Sequence, residues 1–266
     1  MRRPFERRCC TGRCSSAGAS PCFFPREALY YPYYYERGRT MELFRLLDIS
    51  PGITALIGSG GKSTLLSLLA RELAEAGEQV LCATTTHIFP PAGMPLADSP
   101  AAAEQALCRG GPVCVGVWAA EGKLGPPREP LEAYRGMCRY LLVEADGSRR
   151  LPLKAHAPYE PVIPPGTGRT ILVAGAAGLY RPVRKAVHRP EIFCSLAGCA
   201  PEDLATPERA ARVMEAEGLG DLVLINQADA AEAAARELAA LLREKTVVAA
   251  LNKGEWNHAG FDSGRR

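Results

Sequence analysis

From residue 41 onward the chain alternates short, wholly apolar runs with segments whose apolar residues recur every three or four positions. "GITALI" reads as a buried strand. Over Lys62–Ala76, the residues Leu65, Leu66, Leu68, Leu69 and Leu73 fall at helical spacing, and Gly77 supplies the stop. "QVLCA" predicts a second strand that closes in "TTTH". A proline-rich passage follows, then an alanine-rich helix near Ser99–Leu107. "PVCVGVW" with "EGKL" behind it predicts a strand and a tight turn. "YLLVEA" and "TILVA" predict further strands. Thr206-Pro207-Glu208 is a helix start, with Thr as cap and Pro in the first turn, and Gly218 marks its end. "DLVLIN" predicts a strand, Ala230–Glu244 a long helix, and "TVVAAL" the final strand.

Strands that are apolar along nearly their whole length must be covered on both faces. Their alternation with helices therefore predicts an α/β fold, a mainly parallel sheet with helices on both faces. Residues 150–200, rich in Pro and Gly, are expected to lie over the carboxyl ends of the strands, where such sheets bind ligands. The expected organisation is a disordered or mis-annotated extension over 1–40, a single α/β domain over 41–251, and a polar tail over 252–266.

Composition changes the picture at the N-terminus. Residues 1–40 hold eight Arg against three acids, a net +5 within a whole-chain +3, which leaves −2 for residues 41–266. The basicity belongs to the extension, and the body gives no reason to invoke nucleic acid. The extension carries no signal-peptide apolar run, and its four cysteines include no CxxC pair of chelating geometry. The other six cysteines are scattered, several in apolar runs, as expected of buried reduced thiols in a cytoplasmic protein. No uncharged apolar stretch reaches about 18 residues, so no membrane span is expected.

The chemistry concentrates where "GITALI" meets its helix. "GSGGKST" places Gly58, Ser59, Gly60, Gly61, Lys62, Ser63 and Thr64 between strand and helix, the context of a phosphate loop. The long form, GxxxxGK[ST], asks for glycine where Leu56 stands. A shorter form, GxxGK[ST], occurs in ATP-dependent amide ligases and fits these residues, with Gly58 taking over the turn. Amides from Gly58 to Ser63 are expected to cradle a phosphate, helped by the helix N-terminus. Lys62 would bridge terminal phosphates and Ser63 would offer its hydroxyl to Mg²⁺. The expected fold is thus P-loop NTPase-like, with ATP or GTP and Mg²⁺ as cofactors.

Four further clusters are candidates. "YLLVEADGS" ends a strand on Glu144 and Asp146, which suit metal holding or water orientation. Asp146 with Ser63 is the expected metal pair, joined by Thr86 from "ATTTHI", and Glu144 or His87 is expected to orient water. "LVLINQADA" has the form of the NKxD element that reads guanine, with Asn226 bracing the loop, Asp229 accepting from the base and Gln227 in place of the lysine. "AVHRPEI" aims His188 and Arg189 at a phosphate or oxyanion, and Lys154 in "LPLKAH" is a comparable anion contact. Each also has a bland reading as an ordinary strand end, turn or helix cap.

Together, "LIGSGGKST", "ATTTHI", "LLVEADGSRRLPLKAH", "EPVIP", "VHRPEIF" and "INQAD" resemble the YqeC family, in order over roughly residues 42–250. That family is described as accessory to selenium-dependent molybdenum hydroxylases and assigned to selenium-cofactor biosynthesis. The resemblance implies a nucleotide-binding accessory protein, with a molybdenum hydroxylase or another selenium-cofactor maturation protein as partner. It matches Gly58, Gly61, Lys62 and Ser63 to the family's phosphate loop, Glu144 and Asp146 to its acidic strand end, and His188 and Arg189 to its HR element. The expectation is Mg-dependent NTP binding with slow hydrolysis. The alternatives are an ATP-dependent amide ligase and a nucleotide-sensing chaperone without hydrolysis.

Overall fold

The computed structural model describes residues 42–258. The 1–40 extension and its cysteines lie outside the described residues, as do 259–266. The chain runs through α1 (Leu43–Leu46), β1 (Gly52–Gly58), α2 (Lys62–Glu75), β2 (Val80–Thr84), β3 (Leu96–Ala97), α3 (Pro100–Leu107) and β4 (Val113–Val115). It continues through β5 (Val117–Trp118), β6 (Leu124–Gly125), β7 (Tyr140–Glu144), β8 (Leu153–Lys154) and β9 (Thr167–Gly175). Then come α4 (Val183–Ala186), β10 (Val187–His188), α5 (Pro190–Ala197), α6 (Pro207–Glu217), β11 (Leu222–Asn226), α7 (Glu232–Leu241), β12 (Lys245–Ala250) and β13 (Glu255–His258).

The main sheet has the order β13-β12-β11-β9-β1-β7-β2-β4-β3, and every neighbour pair is parallel except β12–β13. β1 lies between β7 and β9, which explains why "GITALI" is apolar throughout: both edges are paired and both faces covered. Its side chains alternate between two cores. Leu56 packs with Leu65, Leu66 and Leu69 beneath α2. Ala55 and Ile57 face the opposite layer, with Phe193 of α5, Val213 of α6 and Leu238 of α7. The expected α/β architecture with helices on both faces is what the chain forms. Among the described residues, no helix is long and apolar enough to cross a membrane.

Local differences from the sequence pattern have local causes. "PVCVGVW" divides at Gly116 into β4, which stays in the main sheet, and β5, which leaves it to form a hairpin with β6. α7 stops at Leu241, three residues before the expected end. The polar stretch after residue 251 continues the sheet: Glu255–His258 pairs antiparallel with β12, and Trp256 is 7% exposed against the α2-side core. One buried ring in a polar tetrapeptide leaves no period to read. Of the six cysteines, Cys82 and Cys114 are buried as expected, whereas Cys108 is exposed at the end of α3.

Leu56 therefore belongs to the core and not to a loop. Leu56→Gly, which restores the long motif, is expected to destabilise the protein by about 3–5 kcal/mol through cavity formation and backbone freedom. Equilibrium urea unfolding measures this; an unchanged midpoint would place Leu56 outside the core.

Candidate functional site

Because β2, β7, β1, β9 and β11 are parallel, their last residues Thr84, Glu144, Gly58, Gly175 and Asn226 emerge at one edge of the sheet. The segment Ser59–Gly61 turns there from β1 into α2. Gly60 (φ 86) and Gly61 (φ 132) take positive φ, and the space around them is closed. A Cβ on Gly60 would lie 2.4 Å from the Gly175 nitrogen, and one on Gly61 2.3 Å from Asn226 Nδ2. Only glycine satisfies both the backbone and the contact. Asn226 ties the turn down: Nδ2 donates to the Gly60 carbonyl at 2.7 Å, and Oδ1 accepts from the Leu251 amide at 3.0 Å.

α3 and α6 carry side-chain caps, Ser99 and Thr206. α2 begins on Gly61 without one, so its first-turn amides meet no capping oxygen. The donor ring is narrower than expected, however. The Gly58 amide donates to Asp146 Oδ2 at 2.9 Å, and the Ser59 amide to the Val173 carbonyl at 2.8 Å. Those two amides hold the turn in the fold, so a cradle of amides begins at Gly60. Ser59 keeps a buried hydroxyl with no protein partner.

Lys62 is buried and points at the acidic strand end. Nζ donates to the Gly58 carbonyl at 2.5 Å and lies 3.0 Å from Asp146 Oδ1 and 3.8 Å from Glu144 Oε1. Ser63 Oγ donates to Glu144 Oε2 at 2.9 Å. Burial pushes the Glu144 carboxyl up; the Lys62 charge and the Ser63 hydrogen bond pull the other way without cancelling it.

Asp146 is the hub. Oδ2 receives the Gly58 amide, Lys154 Nζ at 3.0 Å and His156 Nε2 at 2.9 Å. Burial opposes its ionisation, but the His156 hydrogen bond and the Lys62 and Lys154 charges outweigh it and hold the carboxyl well below the usual range. His156 is gripped from its other side by Glu217 of α6, whose carboxylate takes the ring Nδ1 at 2.7 Å and the backbone amide at 2.6 Å. Burial disfavours the imidazolium; the Asp146 and Glu217 hydrogen bonds overcome that and raise its pKa. Lys154 also donates to Glu160 Oε2 at 3.0 Å and to the Gly147 carbonyl, and Glu160 in turn pairs with Arg189.

Of the residues expected to hold a metal, Asp146 has Lys62 beside Oδ1 and takes Lys154, His156 and the Gly58 amide on Oδ2. The carboxylate that meets the Ser63 hydroxyl is Glu144, an all-oxygen pair of the kind Mg²⁺ prefers. Thr86 is half-buried beside it, with its amide on Thr84 Oγ1 and its hydroxyl 3.4 Å from the same atom; Thr84 Oγ1 donates to the Glu144 carbonyl. His87 is exposed, and among the described residues no hydrogen bond or ion pair joins it to the turn. His188 sits on β10 in register with Lys154. Asp229 is exposed, 3.8 Å from Lys253, and the Gln227 side chain lies against Gly175.

The sequence pattern missed His156, Glu160 and Glu217. "KAHAPYE" holds the first two, but a single His between alanines gives no sign of a partner, and Glu217 lies some sixty residues away on a helix end.

A family model described as "YqeC protein" matches residues 54–191, just over half of the chain. That segment contains the turn, both strand-end acids, Lys154, His156 and the His188–Arg189 pair, but not Asn226, Asp229 or Glu217. An uncharacterized protein, YqeC of Escherichia coli strain K12, is 37% identical over 162 residues, 57% of this chain and 63% of that protein. The match thus spans less than two thirds of the relative's length. Among solved structures, FtsY from Mycoplasma mycoides is similar at 13% identity and a TM-score of 0.42, over 80% of this chain and 65% of that one. A likeness so loose carries no argument about the site.

The two titrating groups at the hub act in opposite directions. Asp146, depressed, contributes stability present above about pH 4 and lost as pH falls through its folded value. His156, raised, contributes stability fully present below about pH 6.5 and lost as pH rises through its folded value. Unfolding free energy measured from pH 6 to 9 is expected to decline more steeply in the native chain than in His156→Gln. Parallel curves would mean His156 is not held as an imidazolium.

Proposed function

The chain belongs to the YqeC family, and from that premise and the geometry of its glycine turn we propose that it binds a nucleoside triphosphate with Mg²⁺ and hydrolyses it slowly. One observation carries this reading. An uncapped helix N-terminus, Lys62 Nζ within 3.0 Å of Asp146, and Ser63 Oγ 2.9 Å from Glu144 converge at a single sheet edge. The turn amides from Gly60 onward and the α2 terminus hold the phosphates; Lys62 leaves the Gly58 carbonyl and Asp146 to neutralise the terminal oxygens. Ser63 and Glu144 hold Mg²⁺, which neutralises charge on the bound phosphates. Glu144 in that role leaves the orienting of water to His87 at the rim. Asp229 reads the base, in the manner that selects guanine.

The setting comes from the motif resemblance. On that basis we infer that the nucleotide step serves the maturation of selenium-dependent molybdenum hydroxylases, with a hydroxylase or another maturation factor as partner. Nucleotide-dependent co-purification with such a hydroxylase tests that setting separately from the nucleotide site.

Lys62→Ala is expected to weaken Mg-nucleotide binding by at least ~100-fold, about 2.7 kcal/mol, with a native circular dichroism spectrum and a lowered Tm, because buried Asp146 loses one of its counter-charges. Unchanged affinity would overturn the reading. Titrations with ATP and GTP identify the base: a preference for GTP that disappears in Asp229→Ala supports the role given to Asp229, and one that survives removes it.

A further inference from the structure

Lys62 can serve a nucleotide only if it can leave Asp146, and leaving strips a counter-charge from a fully buried carboxylate. The two oxygens of that carboxylate are occupied unequally. Oδ1 accepts no hydrogen bond among the described residues; Lys62 Nζ lies 3.0 Å from it but donates to the Gly58 carbonyl. Oδ2 takes the Gly58 amide at 2.9 Å, Lys154 Nζ at 3.0 Å and His156 Nε2 at 2.9 Å. Most of what holds Asp146 is therefore on the oxygen away from Lys62.

The charges divide in the same way. His156 is buried, and each of its ring nitrogens meets a carboxylate oxygen, Asp146 at 2.9 Å and Glu217 at 2.7 Å. An ionised carboxylate only accepts, so both nitrogens carry a proton and the ring is an imidazolium. Lys154 pairs with Glu160 as well as with Asp146, and Glu160 pairs with Arg189. Lys154, His156 and Arg189 thus offset Asp146, Glu160 and Glu217 among themselves, with no share required of Lys62. The other acidic neighbour of Lys62 is Glu144, at 3.8 Å.

We propose that Lys154 and His156, the latter held by Glu217, are positioning residues that carry the charge of Asp146 while Lys62 moves to the terminal phosphate. Neither touches the nucleotide; each acts on Lys62 through Asp146. Glu217 bonds both the ring and the backbone amide of His156, which keeps the imidazole aimed at Oδ2. Without Lys154 or His156, Asp146 must draw its counter-charge from Lys62, and the lysine is retained in the turn. The inference deepens the nucleotide reading and rests on it for the destination of Lys62, not for the division of charge around Asp146.

A double-mutant cycle tests this, with Mg²⁺ and a non-hydrolysable GTP or ATP analogue titrated into the full chain. His156→Gln is expected to weaken nucleotide binding about 10-fold where Lys62 is present, and less than about 2-fold in the Lys62→Ala background, where no lysine remains to be released. Lys154→Gln should show the same pattern, and it replaces His156→Gln if that variant does not fold. A merely structural role, or direct contact of either residue with phosphate, predicts equal losses in the two backgrounds. Equal losses would overturn the proposal, as would native affinity in both single variants. If the native chain binds neither analogue, the nucleotide reading fails by itself. The same cycle followed by urea unfolding then decides the division of charge: Lys62→Ala is expected to cost more stability combined with His156→Gln or Lys154→Gln than alone, and equal costs would overturn it.

Discussion

A buried carboxylate with no counter-charge costs several kcal/mol, and removing one partner of a buried ion pair costs about as much. Asp146 is fully buried, and the site is arranged around meeting that cost. It receives the Gly58 amide, Lys62, Lys154 and His156. The donors come from the end of β1, the start of α2, and β8 with the residues just after it, so one carboxylate fixes all three relative to β7. The wider network balances only when His156 is protonated: Lys62, Lys154, His156 and Arg189 then offset Glu144, Asp146, Glu160 and Glu217. Through its bonds to His156, Glu217 extends that constraint to the end of α6.

The same hub explains how the turn dispenses with an earlier glycine. In the longer motif the chain needs glycine freedom at the position of Leu56. Here β1 stays extended through Ile57, and the Gly58 and Ser59 amides are anchored on Asp146 and Val173. Leu56 is then free to serve the core under α2, and all of the turning falls to Gly58, Gly60 and Gly61. Asn226 closes the arrangement from β11 by linking the Gly60 carbonyl to the chain after β12. The proposed phosphate cradle is therefore smaller than its glycine count suggests, and stiffer.

The two strand-end acids differ in what their side chains meet. Both Glu144 and Asp146 lie at the carboxyl end of β7, and alternation places them on one side of the chain. Asp146 is past the last paired residue and is drawn inward by its cations, whereas Glu144 is still in register with Leu56 and Thr84 and meets Ser63. Spacing alone does not distinguish a carboxylate that organises a turn from one that is open to a metal.

The linear chain by itself determined the elements and their class. Apolar runs bounded by turn residues located β1, β2, β7, β9, β11 and β12, and leucine periodicity located α2, because burial on two faces or one leaves its period in the residue order. It also determined that glycines, a lysine and a serine follow a strand and open a helix. Tertiary structure alone decided which polar groups meet: His156 between Asp146 and Glu217, Asn226 on Gly60, and Trp256 in a strand where polarity suggested a tail. These are single contacts between residues far apart in the chain. A polar partnership depends on distance and angle in three dimensions, which no repeating pattern along the sequence records.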